Sequence, residues 1–104
     1  MKAKMTPKRK LQLARDKIRC DMLSMIEDDQ DYEEKRLMVF VYLSAINDII
    51  LKQKYGNDTA CKITAAQYLL AEKQEHLEMI GVNPRWMRDK LEKYGLLDEI
   101  KKHA

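Results

Sequence analysis

Leu11, Ala14, Ile18, Met22 and Met25 or Ile26 recur at spacings of three and four. This period predicts an amphipathic helix from about Pro7 to Glu27. Thr6-Pro7 suits its start, Thr as a cap and Pro at the first helical position. The acidic stretch Asp28–Asp31 reads as a loop. Asp31 and Glu34 have the spacing of a capping box, opening a second helix from about Tyr32 to Lys54. Its middle, Leu37 to Ile46, is apolar nearly all round, and Ile49-Ile50-Leu51 continues it. Such a helix is central in a core or sandwiched in an oligomer. Tyr55-Gly56-Asn57-Asp58 closes it, with Gly56 suited to a left-handed end.

Thr64-Ala65-Ala66-Gln67 has capping-box spacing and opens a segment carrying Tyr68, Leu69 and Leu70. The apolar stripe lapses at Glu72–Glu75, which divides Thr64–Ile80 into two short helices in preference to one. Gly81 ends that segment, and Asn83-Pro84 restarts the chain as N-cap and first helical residue. A helix over Arg85–Tyr94 follows, closed by Gly95, and Leu96–His103 forms a last short helix. The expected fold is one all-α domain over residues 1–104, with about five helices. Two long N-terminal helices precede a C-terminal helix-turn-helix. Residues 1–6 read as a flexible basic tail and 72–96 as the helix-turn-helix-like segment.

Composition agrees with helix. Only three Gly and two Pro occur in 104 residues, which disfavours a turn-rich β fold. No apolar run reaches the ~18–20 residues that span a bilayer, and no apolar stretch follows the basic N-terminus as in a secretory signal. A cytoplasmic chain with two free thiols, Cys20 and Cys61, is the expectation, in the host cell cytoplasm if the chain is phage-encoded.

Net charge is +3, but its distribution says more. Lys2, Lys4, Lys8, Arg9 and Lys10 precede the first acid, Asp16, and basic residues return at Arg85, Arg88, Lys90 and Lys93. Glu27 to Glu34 holds an acidic block. Two basic surfaces of this kind can meet phosphates. The block lacks the alternating ligands and Gly of a calcium loop. Phosphate-cradling glycines, clustered metal ligands and a nucleophile–base set are not legible either, so no cofactor, no metal and no enzymatic activity are expected.

The most specific stretch runs from Leu77 to Leu91. It reads as helix, Gly81, apolar Val82, N-cap Asn83, then a second helix, with a three-residue connection. A left-handed Gly makes the turn, Val82 plugs between the helices, and the second helix offers a face carrying Arg85, Arg88 and Asp89, with Lys93 further along, to a DNA groove. Trp86 reads as an anchor that fixes that helix.

Gly81-Val82-Asn83, with Met87, Lys90-Leu91 and Lys93-Tyr94-Gly95-Leu96, resembles the C-terminal helix-turn-helix of Fis-type DNA-binding proteins. In that family the long preceding helices form a homodimer. Asp89 and Glu92 stand here where basic residues occur in the family. A second resemblance covers more of the chain. Ala45, Asp48, Tyr68, Gly81, Asn83, Pro84, Trp86 and Arg88 follow the pattern of a group of small phage and prophage proteins. That likeness implies phage origin and helix-turn-helix architecture.

The resulting expectation is a small phage-type protein that binds double-stranded DNA and regulates transcription as a homodimer. Arg85, Arg88, Lys90 and Lys93 would meet DNA, with Lys8, Arg9 and Lys10 adding phosphate contacts. The apolar surplus of the second helix assigns Phe40, Tyr42, Leu43, Ile46 and Ile50 to the dimer interface. The alternative is a phage-encoded protein that binds a host or phage protein and keeps the helix-turn-helix as scaffold. Asp89, Glu92 and the acidic block favour it. A continuous positive strip along the second motif helix would favour nucleic acid, and a mixed strip beside an apolar patch a protein partner.

Overall fold

The computed structural model describes residues 6–51 and 58–104. Six helices and no strand occur among them: α1 (Pro7–Ile26), α2 (Tyr32–Ile50), α3 (Asp58–Leu70), α4 (Glu75–Ile80), α5 (Pro84–Lys93) and α6 (Leu96–Lys101). That is one helix more than about five, and the break between Leu70 and Glu75 falls where the lapse of the apolar stripe divides the segment in two. The expected tail falls outside the described residues except for Thr6, and so do the expected end of the second helix at Lys54 and its Gly56 stop.

α2 is the hub. Val39, Tyr42, Leu43, Ala45, Ile46, Ile49 and Ile50 are buried on it. α1, α3, α4 and α6 all pack against it. α1 contributes Ala14, Ile18, Met22 and Ile26, one residue per turn, as a single apolar stripe. Met87 and Leu91 of α5 complete the core together with Leu96, Leu97 and Ile100 of α6. The molecule is flattened, 43 × 38 × 25 Å, and Leu37, Phe40 and Val41 of the hub stay exposed.

Two starts follow the local chemistry. Thr6 Oγ1 accepts from Arg9 N–H (3.2 Å), and Asn83 Oδ1 accepts from Arg85 N–H (2.8 Å). Two others depart from expectation. Asp31 precedes α2 without a side-chain cap; instead the Asp29 carboxylate accepts from Asp31 N–H and pairs with the Lys35 ammonium. Thr64 lies inside α3, which begins six residues earlier. The burial of Ala65, Ala66 and Leu69 outweighs the local capping pattern there.

Side chains close the helix ends. The ammonium of Lys62 donates to the carbonyls of Asp48, Ile49 and Leu51, each at 2.9 Å. It thereby satisfies three of the carbonyls that the end of α2 leaves without intrahelical partners. Buried Gln74 performs the same service for α3, its amide donating to the carbonyls of Tyr68, Leu69 and Ala71. Tyr68 and His76 are hydrogen-bonded at 2.5 Å between Oη and Nδ1, which ties α3 to α4.

Candidate nucleic-acid interface

The connection between α4 and α5 is three residues long, Gly81–Asn83. Gly81 has φ +87°, a left-handed conformation that glycine adopts without a Cβ penalty. Its neighbour's amide, Val82 N–H, reaches back to the Leu77 carbonyl at 2.8 Å, and the Gly81 amide donates to Glu78. This pair of hydrogen bonds is the Schellman ending of a helix, with the next apolar residue folded under it. Val82 is accordingly buried beside Leu77 and Ile80 in the core. Asn83 and Pro84 then launch α5 from a fixed angle.

The helical period sorts the faces of α5. Met87 and Leu91 point inward. Arg85, Asp89, Glu92 and Lys93 cover the outer face and are all exposed. Arg88 is exposed on one flank and, with Arg85, borders a cleft of about 310 Å³ floored by Leu70, Leu77, Met87 and Leu91. The strip is therefore mixed in sign, two acids lying among the cations.

Lys90 sits on the other flank and has a different task from the one expected of it. It is half-buried, pairs with Asp21 of α1 at 3.7 Å, and lies over the rings of Trp86 (5.3 Å) and Tyr94 (5.8 Å). Tyr94 Oη donates to the same Asp21 carboxylate at 3.0 Å. Trp86 is half-buried and packs against the core, so it anchors α5. Asp21, 73 residues from Tyr94 along the chain, is what seats α5 on α1. No local pattern could have revealed it.

That seat joins the two basic segments. Lys10 and Lys17 of α1 line one groove with Lys93 and Tyr94. Lys8 and Arg9, on the first turn of α1, are exposed. Of the sequence-predicted cations, the fold thus brings Lys10 and Lys93 together, sets Arg85 and Arg88 further along α5, and takes Lys90 into the helix junction.

The five residues assigned to a dimer interface divide. Tyr42, Leu43, Ile46 and Ile50 are buried inside this single chain, because α1, α3, α4 and α6 cover more of α2 than its apolar surplus implied. Burial in the apolar core raises the pKa of the Tyr42 hydroxyl, with a smaller contribution from Tyr68, and keeps it protonated. Phe40 is exposed (41%), with Leu37 (67%) and Val41 (47%) on the same stripe. Tyr42 faces α5 across the core, and Phe40 lies about 200° away around α2, so this stripe faces away from α5. Beside it, Val41, Ala45, Ala60, Cys61 and Thr64 line an open groove of about 460 Å³ between α2 and α3.

No group of three metal-ligating side chains occurs among the described residues, and no helix there is long and apolar enough to cross a membrane. The chain matches no protein family, no curated protein and no solved structure.

Proposed function

We propose that this chain is a small, phage-type DNA-binding and transcription-regulating protein, with α4, its three-residue turn and α5 acting as a helix-turn-helix. One observation carries the reading. The left-handed Gly81, buried Val82 and capping Asn83 hold α5 with its N-terminal turn and outer face in solvent, and Arg85, Arg88 and Lys93 are exposed on it. An α-helix presented this way fits the major groove of B-DNA, where Arg pairs with guanine edges or phosphates. The basic first turn of α1 supplies further phosphate contacts through Lys8, Arg9 and Lys10.

Replacing Arg85 and Arg88 by Ala tests this assignment. Both side chains are exposed, so thermal stability should hardly change while duplex affinity falls about tenfold or more, by the ~1–3 kcal/mol of a good base contact. An unchanged affinity would refute it.

A second reading has its own observation. The mixed charge of α5, together with the exposed Leu37-Phe40-Val41 stripe, favours a chain that docks a host or phage protein through α2 and keeps the helix-turn-helix as scaffold. On this reading the wild type should bind no duplex at low salt, and Phe40→Glu should abolish association with the partner protein while leaving the fold intact.

A further inference from the structure

Lys10, Lys17 and Lys93 converge on a single groove between α1 and α5, about 340 Å³ in volume, whose wall is Leu13, Ala14 and the ring of Tyr94. Lys17 and Lys93 lie 5.5 and 5.8 Å from the Tyr94 ring centroid on their ammonium nitrogens. None of these three lysines forms an ion pair among the described residues. The acids of α1 are already engaged. Asp16 is held by Arg15 at 3.1 Å and Arg19 at 4.0 Å, and Asp21 by Lys90 and Tyr94. The positive charge of the groove is thus not cancelled by the helix that carries it.

One of the three lysines, Lys10, is also placed against folding. α1 has no acid in its first turn, and Lys8, Arg9 and Lys10 stand there, at the positive end of the helix dipole. Cations at that end are unfavourable by the dipole, whereas Lys93, in the last turn of α5, is favoured by its own helix, and the Tyr94 ring attracts the ammoniums over it while they repel one another. An anion that enters the groove relieves the repulsion among these ammoniums and stabilises the folded chain.

From this we infer that the α1–α5 groove is a seat for the sugar-phosphate backbone of duplex DNA, flanking the strand that α5 enters. Lys10 and Lys17 are seven residues apart, so they stand about 10 Å from each other along one side of α1. Lys93 faces them from the end of α5. Three ammoniums disposed along a groove suit a run of phosphodiesters better than one compact anion. As point charges on flexible stems they contribute affinity and orientation without reading sequence. The inference rests on the DNA-binding reading and adds to it a part of the surface, and one residue, Lys17, outside the α4–α5 motif.

The test is the salt dependence of binding to a labelled mixed-sequence duplex, measured on the full chain. In the triple variant K10Q/K17Q/K93Q the slope of log affinity against log salt should shallow by about 0.9 for each phosphate no longer neutralised, about 2.7 in all. Between about 50 and 200 mM salt the wild type should therefore lose about 40-fold more affinity than the variant. A second variant, R36Q/K73Q/K102Q, removes the same charge from other surfaces and should keep the wild-type slope. Circular dichroism melts check that both variants fold. If the wild type binds and the groove variant keeps its slope, the groove proposal is overturned and the DNA reading stands. Equal shallowing in both variants would overturn the groove too, since the effect would be one of net charge. No duplex binding by the wild type at low salt would refute the DNA reading itself. Displacement by inorganic phosphate far beyond that by chloride at matched ionic strength would reassign the groove to a free anion and overturn the backbone proposal.

Discussion

Replacing Lys62 by Met keeps the four-atom stem and deletes the ammonium. In the folded chain that ammonium donates to three carbonyls at the end of α2, and its side chain is only 14% exposed. A hydrogen bond to a charged group contributes about 1.5–3 kcal/mol net, and a cation at a helix C-terminus adds ~0.3–1 kcal/mol. The three bonds share one charge, so they do not add in full. Some of the freed carbonyls regain water, since the site is not sealed. The expected loss is therefore about 2–4 kcal/mol. For a chain of this size each kcal/mol moves Tm by ~4–8 °C, so the variant should melt at least about 8 °C lower. Paired urea and thermal unfolding, followed by helical circular dichroism, give the value, with K62R expected to fall between wild type and K62M. A loss under about 0.5 kcal/mol, the range of an ordinary surface change, would refute the capping account.

Gly81→Ala should destabilise by about 1–2 kcal/mol, the ordinary penalty of a left-handed L-residue, and no more. A Cβ built on Gly81 meets nothing within 4 Å, so a loss above about 3 kcal/mol would mean that the turn is packed differently. K8Q/R9Q should raise stability by about 0.5–1 kcal/mol through the α1 dipole while weakening duplex binding, and a lower Tm would contradict the opposition between the two roles. Asp29 supplies a pH dependence. The hydrogen bond from the Lys35 ammonium, then that from Asp31 N–H, holds its pKa below the ordinary carboxylate value. Its contribution is complete above about pH 3.9 and is lost as pH falls through the lower folded value. D29N should flatten that part of the acid limb of a Tm–pH curve, and an identical limb would remove Asp29 from the account.

Much of the architecture is legible where local chemistry decides. Thr6-Pro7 and Asn83-Pro84 start helices as their residue types require, and Gly81 and Gly95, both with positive φ, stop them. Capping-box spacing misleads at Thr64, because burial of Ala65, Ala66 and Leu69 extends α3 across it. The apolar surplus of α2 pointed to an oligomer, yet most of it serves one chain, since four other helices reach the hub. Lys62 and Gln74 escaped because their partners are backbone carbonyls, which no side-chain pattern marks. The division of the basic residues was hidden for another reason. Asp21 captures Lys90 and Tyr94 across 69 and 73 residues, and only the packed fold shows which cations remain at the surface.

The central claim is that α5 and the basic edge of α1 meet duplex DNA. Fluorescence anisotropy of a labelled mixed-sequence duplex, titrated with the wild-type chain from low to physiological salt, tests it most directly. The account predicts binding at low salt that weakens log-linearly as salt rises, with a slope of several units set by the phosphates engaged. Anisotropy that stays flat at low salt would contradict it and leave the exposed stripe of α2 as the surface on which a partner protein should be sought.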